Sequence, residues 1–291
     1  MILKKLIFFV RLVVEKAIVA IFLRKVRDKP MKIFDSHCHL DDMALFDRMN
    51  EVVENAKNAD VVGMMAPGID VDTSILLIGL AEQFDPIYAA VGIHPNHSLH
   101  ANEDMLTELI RRAKHPKVKA WGEIGLDFNR PWCPHDIQRK WFVRQLAISA
   151  ELKLPVILHE RDTQGALLVV LKSFAPSQIK GVLHCFSGSE EELYQYLELG
   201  LYIGITGVIT HSERGEALRQ MLPRIPLDRI VIETDAPYLT PAPLRNRYKQ
   251  NEPAFVIEVL RKIAALLEAP EEFLADIFWK NTCGLFDINV N

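Results

Sequence analysis

Eight short, β-branched apolar runs, each followed by a longer amphipathic stretch, constrain this chain more than any other feature. They occupy residues 32–35, 61–66, 87–91, 119–122, 156–158, 181–183, 202–205 and 229–233. Between them, residues 136–152 show the helical pattern, with Ile137, Trp141, Phe142, Gln145 and Ile148 at helical spacing. Residues 190–199 and 254–267 read the same way, and 271–286 read as an extra helix packed against the rest. A strand-then-helix unit repeated eight times predicts an α/β fold. With no long extra segment between units, a closed (β/α)8 TIM barrel is favoured over an open doubly wound sheet. At 291 residues, 49% hydrophobic and 25% charged, the chain suits one such globular domain spanning residues 31–291 and excludes a disordered or fibrous class.

Residues 1–30 stand apart. They hold eight basic and two acidic residues, net +6, so the overall −4 leaves −10 on the remaining 261 residues. A domain this acidic has no general basic footprint for nucleic acid, so a phosphate substrate must be met by cations and a local basic patch. Residues 6–23 are mostly apolar but contain Arg11, Glu15 and Lys16. Three central charges cost roughly 3 kcal/mol each, and 13 strong apolar residues return roughly 0.3–0.6 kcal/mol each, so spanning a membrane loses narrowly. Two readings stand: a basic helical extension lying on a membrane surface, or translation from a start upstream of Met31. Cys38, Cys133, Cys185 and Cys283 form no CxxC pair, which fits a reducing cytoplasm.

Polar residues end the apolar runs in a pattern. His37 and His39 follow the first, Glu123 ends the fourth, His159 the fifth and His184 the sixth, and Asp235 follows the eighth. All six fall at C-terminal strand ends, where a barrel assembles its active site. Strand alternation puts His37 and His39 on one side and Cys38 on the other. Imidazoles and carboxylates in this number suit two divalent cations such as Mg, Mn or Zn. The expected pairing is His37 with His39 on one ion and His159 with His184 on the other. Glu123 bridges them, and Asp235 binds metal and orients or deprotonates the attacking water.

The segments DSHCHL, GIHPN, GEIGLDF, VILHERD, HCFSG and ETDAPYL, followed by NEP and NTCGLF, occur in that order. Together they resemble the TatD family of metal-dependent deoxyribonucleases across essentially all of residues 31–286. The resemblance implies a TIM barrel, two divalent metals on the same six residues, and hydrolysis of phosphodiester bonds in DNA, often as a 3′ exonuclease. DNA is then the partner to expect, with no obligate protein partner evident. On the residues alone, the same metal pair could serve another ester or amide, including an aminoacyl ester, and a non-catalytic membrane-associated binding protein is the non-enzymatic alternative.

Further residues are weighed by position. His94 in GIHPN and Arg161 in HERD face the functional end and suit phosphate contact, against a loop-structuring role for His94 and a salt bridge to Glu160 or Asp162 for Arg161. Asp127 is read as orienting a ligand or its loop. Trp132 offers a face on which a base could stack. His97, His100, His115, His135 and His211 read as solvated surface histidines. In the loop after the eighth strand, Gln250 stands where the family pattern RGKRNEP has an arginine. Arg245, Arg247 and Lys249 keep that loop basic, with Arg247 a candidate substrate contact.

Overall fold

A computed structural model describes residues 31–174 and 179–289. The expected helical extension in residues 1–30 lies outside the described residues. Eight parallel strands follow one another around a single sheet: β1 Ile33–Asp35, β2 Val61–Pro67, β3 Ile87–Val91, β4 Val118–Asp127, β5 Val156–Arg161, β6 Gly181–Leu183, β7 Tyr202–Ile205 and β8 Ile230–Ile232. The sheet closes on itself between β8 and β1. Ser36 N–H donates to the Ile232 carbonyl at 3.0 Å, Asp235 N–H to His37 at 2.9 Å and His39 N–H to Ala236 at 2.7 Å.

Alternation along the strands divides the apolar residues into two sets. Phe34, Met65, Ala90, Ala120, Ile157, Val182 and Val231 fill the barrel, whereas residues such as Ile33, Met64, Leu158 and Ile203 face outward onto the helices. The helix Glu271–Phe286 seals the N-terminal end, placing Trp279, Cys283 and Phe286 in the inner set. There Asn281 donates to the Leu227 and Ile230 carbonyls at 2.7 Å, and Lys180 donates to the Gly284 carbonyl at 2.6 Å. With that end plugged by aromatic side chains, the other end is left to hold the polar residues.

β4 and β5 run several residues further than their apolar runs. β4 continues to Asp127 and β5 to Arg161, through the registered pairs Gly125–His159, Leu126–Glu160 and Asp127–Arg161. Glu123 therefore lies mid-strand and His159 lies inside β5, rather than at their ends. No described helix is long and apolar enough to cross a membrane.

Candidate metal centre

The inward alternation of the core continues into the site. Ile157 is followed two residues on by His159, Val182 by His184 and Val231 by Glu233, so the same face that packs the barrel turns polar at its C-terminal mouth. In β4 the register shifts between Trp121 and Ile124, and Glu123, one residue past the inward position of Gly122, also joins the site. After β1, His37 and His39 are placed by the chain between them: Cys38 N–H bonds the Met65 carbonyl at 3.0 Å, and the buried Cys38 side chain faces the outer core. Asp235 adopts the left-handed conformation with φ 56°, a region that aspartate tolerates better than most residues.

All six expected residues converge, and Glu123 stands among them. Its Oε1 lies 2.6 Å from His159 Nδ1 and 3.0 Å from His184 Nε2, and its Oε2 lies 3.5 Å from His37 Nε2 and 3.8 Å from His39 Nε2. Asp235 Oδ1 approaches the same two nitrogens of His37 and His39, at 3.7 and 3.4 Å. Within each histidine pair the facing nitrogens are 3.3 Å apart. His37 also stacks on His184, ring centroids 4.0 Å apart, so the two pairs form one continuous cluster.

Burial and the mutual pull of imidazoles and carboxylates shape the electrostatics. Burial opposes the charge of Glu123, but the pull of the His184, His37 and His94 rings and the His159 hydrogen bond overrides it and holds the carboxyl well below its usual range. Burial likewise works against His39 as a cation, yet the Asp235 hydrogen bond and the Glu123 and Asp235 charges raise it to about 9. For His37, burial wins and the ring is held below its ordinary value. Imidazole nitrogens aimed at shared carboxylate oxygens, with His37 Nδ1 buried and unpartnered among the described residues, make a donor set that fits divalent cations. Cations entering such a set displace imidazole protons.

Three carboxylates and one ring lie close behind. Asp127 Oδ2 is 3.4 Å from His159 Nε2 and accepts from Asn96 Nδ2 at 2.8 Å, while its Oδ1 accepts from Asn129 N–H in the following loop at 3.0 Å. Glu233, passed over in the sequence, is fully buried, with Oε1 3.5 Å from His184 Nδ1. Gly204 makes room for it, because a Cβ there would come within 2.7 Å of both carboxylate oxygens. Glu233 was detectable as the inward-facing residue two before Asp235. Asp35 accepts from Thr234 Oγ1 at 2.5 Å and ties β1 to the segment that bears Asp235. His94 Nε2 lies 3.7 Å from Glu123 Oε1, and His94 also structures its loop, where Nδ1 accepts from Asn96 N–H.

The outer residues divide. Arg161 and Arg247 are exposed at the mouth and form no ion pair among the described residues. The salt bridge weighed for Arg161 is not made: Glu160 accepts from Thr163, and Asp162 from Asn129. In the NEP segment Asn251 donates to the Thr234 and Tyr238 carbonyls at 2.9 and 2.7 Å, anchoring the loop, while neighbouring Gln250 is exposed. His97 and His115 pair with Asp70 and Glu82 near the surface. His211 departs from the surface reading: it is buried, its Nε2 donating to the Thr240 carbonyl at 3.0 Å, because the loops after β7 and β8 fold over it.

A parallel barrel with a buried carboxylate between two histidine pairs at its C-terminal mouth defines the class of metal-dependent hydrolases. The profile of the family described as "TatD related DNase" matches residues 34–287. The chain is 41% identical to the "3'-5' ssDNA/RNA exonuclease TatD" of Rahnella sp. (strain Y9602), over 82% of this chain and 92% of that protein. It is 36% identical to the "Uncharacterized metal-dependent hydrolase YabD" of Bacillus subtilis (strain 168), over 88% of this chain and 100% of that one. Among solved structures, YJJV, a TatD homolog from Escherichia coli k12, superposes with a TM-score of 0.81 at 30% identity, covering 88% of this chain and 98% of its own. The chain belongs to the TatD family and is a metal-dependent hydrolase.

Proposed function

We propose that this hydrolase is a nuclease that removes nucleotides from the 3′ end of single-stranded DNA, holding two divalent cations through His37, His39, Glu123, His159, His184 and Asp235. The observation that carries the reading is the division of Glu123, one oxygen toward His37 and His39 and the other toward His159 and His184. The exonuclease relatives support the choice of substrate. When bound, the cations supply positive charge at the phosphoryl group and make water acidic enough to attack at neutral pH.

The chain's own residues do the rest. Asp235 is held ionised against its burial by the His39 hydrogen bond and the His184 charge, and it takes the proton of the attacking water. Glu123 keeps the two histidine pairs at a fixed separation, while Asp127 and Glu233 hold His159 and His184 in orientation. Arg161 and Arg247 would neutralise the charge of phosphate oxygens arriving at the mouth, and the His94 ring, held neutral by burial with its Nδ1 accepting from Asn96 N–H, would donate a hydrogen bond to one through Nε2. A pair of cations also makes binding depend on pH, falling as acid returns protons to the imidazoles.

Incubation of the purified protein with 3′-labelled single-stranded DNA and magnesium or manganese tests this. The expected result is metal-dependent release of mononucleotides, with His159→Ala lowering the rate by about a hundredfold or more, the scale on which a mispositioned catalytic group acts. Cleavage that survives chelation, or is the same in His159→Ala, refutes it.

A further inference from the structure

Beside the metal centre lies a groove of about 610 Å3 that none of the six clustered residues lines. Phe128, Asn129 and His135 form one wall and Asp162, Thr163 and Gln164 the other. It opens next to the site on both walls. Phe128 directly follows Asp127, the carboxylate 3.4 Å from His159, and Asp162 directly follows Arg161, the last residue of β5.

The groove's surroundings combine flat rings with unpaired positive charge. His135 stacks parallel on Phe128 with centroids 3.7 Å apart, and the Arg139 guanidinium lies over the same ring at 5.3 Å. Just outside, the Arg130 guanidinium lies 4.4 Å over Trp132, whose indole is 55% exposed. Some helical arginines are neutralised: Arg144 pairs with Glu103 at 2.9 Å and Arg261 with Glu258 at 2.7 Å. Arg130, Arg139 and Arg161 form no such pair among the described residues. The carboxylate in the groove, Asp162, accepts instead from Asn129 Nδ2 at 2.6 Å. A guanidinium stacked on an aromatic ring keeps its N–H edge free for phosphate.

We propose that this groove holds the single strand upstream of the phosphate being cut, with bases stacked on Trp132 and His135 and phosphates paired to Arg130 and Arg139. The proposal rests on the nuclease reading for its direction along the strand. Its occupant follows from the chemistry on the wall: unpaired bases have free faces for the rings, duplex bases do not, and a phosphate chain matches the unpaired guanidiniums.

Fluorescence anisotropy of a labelled single strand of about ten nucleotides, protected from cleavage by phosphorothioate linkages, tests it on the full chain. Trp132→Ala weakens binding about tenfold, the scale of losing one stacked base. Arg130→Gln and Arg139→Gln each flatten the dependence of log affinity on log salt by about 0.7. These deficits vanish as the strand is shortened to a dinucleotide, which no general loss of fold would imitate, and thermal melts confirm that the exposed substitutions fold. Wild-type protein that does not bind the strand, or variants that bind it with unchanged affinity and salt slope, overturn the proposal. Groove-dependent binding together with no metal-dependent cleavage of the unprotected strand supports the groove and overturns the nuclease reading instead. Cleavage by wild type with no effect of the three substitutions on binding does the reverse.

Discussion

Glu233→Gln separates holding a ligand in place from being one. Glu233 is fully buried; its Oε1 accepts from Cys185 N–H at 2.5 Å and lies 3.5 Å from His184 Nδ1, and its Oε2 accepts from Ser36 Oγ at 3.2 Å. Glutamine keeps the shape. Its oxygen can serve Cys185, and its amide can donate to Ser36 Oγ, which has lone pairs to accept. Two hydrogen bonds to a charged group become neutral ones, at about 1 kcal/mol each, so the melting temperature should fall by roughly 4–8 °C. His184 meanwhile loses the carboxylate that fixes its ring, and losing such a partner lowers metal affinity by about 10- to 100-fold, or roughly 1.4–2.7 kcal/mol. Calorimetric titration of manganese into chelator-stripped protein reads the affinity, and circular dichroism melts read the fold. Ser36→Ala is the control: it removes one bond to Glu233 without touching His184, so stability drops by about 1 kcal/mol with affinity nearly unchanged. A glutamine variant that melts as expected yet binds manganese as tightly as wild type refutes the role assigned to Glu233.

Two further outcomes concern residues outside the six-residue cluster. Phe286→Ala, at the sealed N-terminal end where Phe286 is fully buried against Phe34, should cost about 3–5 kcal/mol in a thermal melt and leave manganese affinity unchanged. Asp70, held down to about 2 chiefly by its hydrogen bond with His97, caps the helix Val71–Gln83. A depressed carboxyl stabilises fully above its unfolded value near 4 and loses that contribution as pH falls toward 2, so Asp70→Asn, which keeps the cap but not the charge, should be about 1 kcal/mol less stable at pH 6 after solvent screening, with the gap closing below pH 4 in paired unfolding curves.

The apolar runs of the sequence mark where the barrel is packed, and their ends mark where it becomes reactive. Those ends are not the ends of hydrogen bonding. β4 and β5 stay paired up to Asp127 and Arg161 while their inward face changes from Ala120 and Ile157 to Glu123 and His159. Strand length was therefore under-read at the two strands whose polar residues build most of the centre. The C-terminal helix was legible in full, residues 271–286, because its periodicity continues to its last residue. That it plugs the barrel was not, since a helix that covers a barrel end and one that lies along its side have the same period.

Within the site, legibility followed chemistry that is rare in a core. Four histidines directly after apolar runs are hard to place otherwise, whereas a glutamate that closes such a run is ordinary, and Glu233 was passed over for that reason. His211 shows the converse: a loop histidine looked solvated because the carbonyl it donates to, at Thr240, lies 29 residues away. Net charge left open where a local basic patch would lie. The −10 on residues 31–291 is an average over a surface that no substrate meets as a whole. Folding sets Arg144 and Arg261 against carboxylates on the helical exterior, while Arg130, Arg139, Arg161 and Arg247 around the mouth form no ion pair among the described residues. A chain can thus be acidic overall and still draw a polyanion to one end, because the field that matters at a distance of about one Debye length, roughly 8–10 Å, is set by the few charges that the fold leaves uncompensated there.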